Sequence, residues 1–292
     1  MRFELAGSLI RPAPLVVRFD ANGTFDTLKY TDLGFTHFEV ICIGGGGGIG
    51  GGIDTANTGT KIRSFGGAGG GGGFHRVRGL LSVLPDSCPV VVGAGGAVGT
   101  EHASDPSQTT NGGDGGASTF NGTTCRASGG EGGKRVQVLS DTAPSQANGG
   151  AGGAGNRTTV GGGAAGGTVG TPTATGPGTA GVDGVDGSFN SLTNVGKGGG
   201  GGAGGVGKYG AITCNAATSG GRGSYNPGDT SVYGPGDTPD IGPVTGAANI
   251  VPGGASGAKA APLNGLPTIY GQSKGAYLPG DKGVVVLRLT SE

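Results

Sequence analysis

Apolar residues along this chain come in short runs separated by long glycine tracts, and the runs read as β-strands. Pro14-Leu15-Val16-Val17-Arg18-Phe19 is the first. His37-Phe38-Glu39-Val40-Ile41-Cys42-Ile43 is rich in β-branched and aromatic residues and runs straight into Gly44 to Gly48. Phe74 to Val83 alternates in part, with Arg76 and Arg78 on either side of Val77. Pro89-Val90-Val91-Val92 precedes Gly93-Ala94-Gly95-Gly96, and Gly283-Val284-Val285-Val286-Leu287-Arg288-Leu289 is the most strand-like stretch of all. A strand near each end predicts termini pinned into a sheet, with glycine-rich chain held between them. Helix signals are almost absent, because Gly costs about 1 kcal/mol per residue in a helix interior.

The glycine tracts have a period of their own. Gly66, Gly69 and Gly72 recur every third residue, as do Gly149, Gly152 and Gly155. The same spacing runs through Gly178, Gly181, Gly184 and Gly187, and through Gly198, Gly201, Gly204, Gly207 and Gly210. Three residues per turn is the period of a polyproline-II-type helix, which makes no internal hydrogen bonds. Its backbone groups need partners elsewhere, and a face of bare glycines lets neighbouring rods come close enough to supply them. Collagen shares the period but needs long unbroken Gly-X-Y with abundant Pro. Here the period breaks after a few turns at Asn, Asp, Pro and Ser, which predicts several short rods joined by loops. The segments from Asp54 to Ser64, Glu101 to Asn111, Lys134 to Asn148 and Tyr225 to Ile241 are the expected loops.

Composition sharpens this picture. The 292 residues include 75 Gly and 16 Pro, a proportion at which low complexity or a flexible tether is the competing expectation. Disorder usually comes with high net charge and few β-branched residues; this chain has 19 basic and 19 acidic residues. Ordered rods are therefore the expectation. The fold class expected is all-β/irregular: a glycine-rich β-sandwich with packed polyglycine-II helices and little or no α-helix. Residues 1–34 form an expected N-terminal attachment segment and 35–292 a polyglycine-II/β domain. The N-terminus does not read as a signal peptide, since Glu4 comes early and no uninterrupted apolar stretch follows. No apolar run approaches the length of a membrane-spanning helix, so no membrane insertion is expected.

Candidate chemistry is sparse. Basic residues form no run longer than Lys134-Arg135, which argues against nucleic acid as a partner. Gly202-Ala203-Gly204-Gly205-Val206-Gly207-Lys208-Tyr209 imitates a phosphate loop, but Tyr209 stands where a magnesium-binding Ser or Thr belongs, and no apolar strand precedes it. The entry from Ile43 into Gly44 to Gly48 imitates a dinucleotide fold without the helix that should follow. His37, His75 and His102 lack the neighbours of a catalytic triad; the first two read as strand residues and the third as a loop residue. Asp183 and Asp186 share one rod edge, and a solvated edge is a better reading than a calcium site. Cys42, Cys88, Cys125 and Cys214 show no zinc spacing; they read as small buried hydrophobes, with a disulfide as the alternative. No enzyme, cofactor or metal is expected. A repeated Pro-Gly-Asp-Thr turn lies at 227–230 and 235–238, flanked by Arg222, Tyr225 and Tyr233. Tyr and Arg are enriched where surfaces recognise partners, so these three form the candidate recognition loop, with ordinary packing of Tyr over a glycine face as the plain alternative.

The order of segments resembles the glycine-rich minor tail proteins of phages that infect actinobacteria, and more loosely glycine-rich tail-fibre adhesins. The resemblance is carried by Gly23-Thr24-Phe25, by Phe38 through Gly48, by Gly69 to Gly73 with Phe74, and by Val90 through Gly96. It continues through Gly112 to Phe120, Ala127-Ser128-Gly129-Gly130, and Gly280-Asp281-Lys282-Gly283 with its closing strand. The resemblance implies a virion protein made in the host cytoplasm and assembled at or near the tail tip. Its expected partners are other tail-tip or baseplate proteins and a host-envelope glycan or protein. It is expected to form a homo-oligomer, with a trimer favoured. A dedicated receptor-binding adhesin, or a glycine-rich cell-surface protein of non-phage origin, is the alternative.

Overall fold

A computed structural model of the chain describes residues 11–51, 53–54, 62–64, 66–67, 69–100, 108–135, 137–138, 144–145, 148, 150–163, 165–166, 188–190, 192–193, 195–197, 206–208, 280 and 282–291. Within them lie β1 (Leu15–Phe19), β2 (Gly23–Asp26), α1 (Thr27–Asp32), β3 (His37–Ile43), β4 (Ile53–Asp54), β5 (Ile62–Ser64), β6 (Phe74–Leu80) and β7 (Ser87–Val91). They are followed by β8 (Ser118–Phe120), β9 (Cys125–Ala127), β10 (Gln137–Val138), β11 (Pro144–Ser145), β12 (Ser188–Asn190), β13 (Val195–Lys197), β14 (Val206–Lys208) and β15 (Val284–Thr290). The fold is all-β with almost no helix.

Two antiparallel sheets make a sandwich. One has the order β1-β15-β3-β6-β13-β12 and the other β2-β7-β8-β9. The closing strand β15 sits between β1 and β3, with Val285 opposite both Phe19 and Cys42. The first and last described strands are thus neighbours in one sheet, as the two apolar runs that form them predict. Alternation decides what the strands bury. Phe38, Val40 and Cys42 of β3, with Val285, Leu287 and Leu289 of β15, face Phe25, Cys88, Val90, Phe120, Cys125 and Ala127 of the second sheet. Phe25 stacks on Tyr30 with ring centroids 4.9 Å apart and meets Phe120 edge-on at 5.8 Å. This aromatic knot is the apolar centre of a chain that has few large side chains to offer.

From one end of the sandwich the strands run on as glycine rods. Among the described residues there are six: 44–51 leaving β3, 69–73 (with Gly66 and Gly67) entering β6, 93–100 leaving β7, 110–116 entering β8, 128–135 leaving β9, and 150–155 returning beside it. Bonding follows the three-residue period. Gly44, Gly47 and Gly50 donate their N–H groups to the carbonyls of Gly73, Gly70 and Gly67 at 2.9–3.0 Å. Gly45, Gly48 and Gly51 donate to Gly116, Gly113 and Thr110, each at 2.9 Å. In return Gly96 and Gly99 donate to Gly46 and Ile49, and Gly130 and Gly133 to Gly45 and Gly48. Rod 44–51 therefore touches four others, antiparallel to two and parallel to two. A Cβ placed on Gly47 would overlap the Glu131 carbonyl, and one on Gly44 the Ser128 carbonyl. Only glycine lets backbones approach so closely.

Burial reproduces the packing. Every residue of 44–51 is buried, including Ile49. In 93–100 only Gly93, Gly96 and Gly99 are buried, while Ala94, Ala97 and Thr100 are exposed. In rod 93–100 side chains thus stand where the rod turns a face outward, whereas in 44–51 the one residue that is not glycine, Ile49, is buried. Each ordered residue costs about 1–2 kcal/mol of backbone entropy, and a hydrogen bond returns about 1 kcal/mol net. By those terms the rods do not fold on their own; they extend a sandwich that fixes their first residues.

Several expectations need correction in detail. The run from Phe74 to Val83 stays extended only to Leu80, after which Leu81–Val83 form a 3-10 turn that buries Leu81 in the core. The expected loops 54–64 and 134–148 carry short pairings, β4 with β5 and β10 with β11. The three-residue spacing of Gly204, Gly207 and Gly210 is interrupted by β14, which pairs with β5 instead of continuing as a rod. Within residues 1–34, β1 joins the six-stranded sheet and β2 the four-stranded one. Helix α1 is capped by Asp26, whose carboxylate accepts from the Lys29 N–H at 3.1 Å, and Gly34 at φ +88° follows its end.

Candidate functional site

The expected recognition residues Arg222, Tyr225 and Tyr233 lie outside the described residues, as do Asp183, Asp186, His102 and Cys214. Of the segment that imitates a phosphate loop, the described part is β14, a paired strand. Ile43 leads into rod 44–51, at the place where a dinucleotide fold would begin a helix.

Connectivity defines one functional geometry. Rods 44–51, 93–100 and 128–135 leave the sandwich, and 69–73, 110–116 and 150–155 return to it. The connections 52–65, 101–107 and 136–147 therefore start and finish at the far end of the slab. Eight residues at about 3.1 Å each put that end roughly 25 Å from the strands. The rod ends that they join are bonded to one another there: Gly51 and Thr100 to Thr110, and Lys134 to Gly67 and Asn148.

A second feature is a buried cluster where the sheets meet. The Cys42 thiol donates to the Cys125 carbonyl at 3.4 Å, and the Cys125 thiol to the His75 carbonyl at 3.2 Å. His75 accepts the Arg126 N–H on Nδ1 at 3.2 Å. Burial pushes the Cys42 thiol well above its ordinary range. At Cys125 burial opposes ionisation too, but hydrogen bonds from Cys42 and His75 outweigh it and draw the thiol down to about 6. Cys88 is also buried, which raises its thiol, with Thr27 Oγ1 at 3.7 Å pulling the other way. Cys42, Cys88 and Cys125 are free, buried thiols, which agrees with the expected burial and not with a disulfide among these three. Among the described residues no group of three His, Cys, Asp or Glu side chains could hold a metal ion.

A third feature is an open cleft of about 660 Å³ at the outer end of the six-stranded sheet. One rung of the sheet sets its chemistry, because Glu39 lies opposite Arg288 on one side and Arg78 on the other. Glu39 Oε1 meets Arg78 at 3.2 Å and Arg76 at 3.7 Å. Burial pulls the Arg76 guanidinium below its ordinary value, and Glu39 offsets part of that. Arg11 and His37 complete the polar lining. Alternation in β6 places Arg76 and Arg78 on one face, which the sequence shows; that Arg288 joins them depends on β15 pairing with β3 across more than 240 residues, which it does not.

A two-sheet sandwich prolonged by hydrogen-bonded glycine rods is an all-β, glycine-rich architecture. The chain belongs to the glycine-rich domain family, whose model matches residues 20–290. No curated protein matches the sequence. Among the described residues no helix is long and apolar enough to cross a membrane.

Proposed function

We propose that this chain is a structural virion component of a phage tail, a minor tail protein at or near the tip that presents loops for contact with the host surface. The observation that supports the reading best is the slab itself. Among the described residues its rods bury bare backbone against bare backbone, and the rod ends that lead into 52–65, 101–107 and 136–147 lie together at one end of the slab. The ordered likeness of the glycine and strand segments to glycine-rich minor tail proteins points the same way. In this reading the chain joins other tail-tip or baseplate proteins, associates with copies of itself, most simply as a trimer, and meets a host-envelope glycan or protein through its loops. Such closed homo-oligomers are the general rule for assemblies.

The test is immunogold electron microscopy of purified particles with antibodies raised against the whole chain. Label confined to the distal tail is expected. Particles that carry none of the chain, by labelling and by mass spectrometry of their proteins, would remove the assignment.

A further inference from the structure

We propose that the cleft at the outer end of the six-stranded sheet binds an oxyanion, a phosphate or carboxylate group carried on a small polar ligand. The inference is independent of the tail assignment. Arg78 and Arg288 line the cleft with Arg11 and His37, and among the described residues Glu39 supplies its one carboxylate. That carboxylate is already engaged by Arg78 and, from two residues away along β6, by Arg76. Among the described residues no carboxylate pairs with Arg288, although it lies on the same rung. Among the described residues guanidinium charge thus exceeds carboxylate charge through Arg288, with Arg11 left out of the balance, around a concave space of a size that holds a small ligand.

Arginine suits this task because its planar fork bonds two oxygens of a phosphate or carboxylate at once. Arg288 and Arg78 flank Glu39 from neighbouring strands, so an oxyanion above that rung can be reached from both sides. The backbone beneath is fixed by full antiparallel pairing of β15, β3 and β6, so the two groups need little reorganisation. Thr290 and Ser291 stand at the rim, where hydroxyl groups can meet the rest of a polyhydroxylated ligand.

The test is an NMR titration of the full chain at low ionic strength with glucose 6-phosphate, glucuronate and glucose. Saturable shifts are expected with the anionic sugars and none with glucose; a response to one anion alone identifies which group the cleft takes. The Arg78→Ala/Arg288→Ala pair should weaken binding roughly tenfold or more, as loss of charge-assisted bonds implies. Lys29→Ala removes a positive charge on α1 and should leave affinity unchanged. Arg288→Ala alone, at an exposed position, serves if the double variant does not fold. Absence of saturation with either anion overturns the proposal, and so does an equal loss in the Lys29 and Arg288 variants, which would mark general charge screening.

Discussion

Replacing Gly47 with Ala is expected to destabilise the protein by at least about 4 kcal/mol, beyond the ordinary range for a single methyl. The new Cβ would overlap the Glu131 carbonyl. That carbonyl already accepts the N–H of Gly70, and the Gly70 carbonyl accepts that of Gly47. Three rods meet at this point, so none can yield without breaking bonds to another. A urea unfolding curve followed by tyrosine fluorescence reads the change directly. Ala94→Ser is the matched comparison, because Ala94 lies on an outward face of rod 93–100, and it should stay within about 0.5 kcal/mol of the parent. Equal tolerance of both changes would mean that the rods are not in contact.

Phe120→Ala is expected to cost about 3–5 kcal/mol, the usual penalty for emptying a buried aromatic site. Phe120 is fully buried and touches the rings of Phe25 and Phe38. It also lies one strand from rod 110–116, which enters β8. If the slab depends on the sandwich, the variant should unfold in a single transition at lower urea, with rods and strands lost together. A first transition that removes the sandwich and leaves the rods protected would show that the slab folds alone.

What the sequence discloses depends on whether a side chain carries the signal. β3, β7 and β15 are legible because Val, Ile and Phe crowd into short runs, and their burial follows from that. The rod period is legible where an alanine or threonine marks its phase, as in Gly93-Ala94-Gly95-Gly96-Ala97, whose buried positions are Gly93, Gly96 and Gly99. Five successive glycines from Gly44 to Gly48 carry no phase, so which neighbour each residue bonds is invisible there. Rod direction is hidden for the same reason: parallel and antiparallel neighbours present the same bare backbone. The β8–β9 hairpin did have a signal in Asn121-Gly122, both at positive φ, the residue pair that tight turns between strands favour. Helix α1 had one in Asp26 with Thr27 after it, but six residues are too few for a periodic pattern. The cleft depends on a rung assembled from β3, β6 and β15, and no local pattern announces a contact of that separation. The proposed recognition residues Arg222, Tyr225 and Tyr233 belong to chain outside the described residues, where neither strand nor rod periodicity helps.

Amide hydrogen exchange along the rods tests the central claim most directly. The inter-rod hydrogen bonds predict that the N–H groups of Gly44, Gly45, Gly47, Gly48, Gly70, Gly130 and Gly133 exchange as slowly as those of β3 and β15. Exchange at those glycines at the rate of an unstructured peptide, while the strands remain protected, would contradict the packed slab.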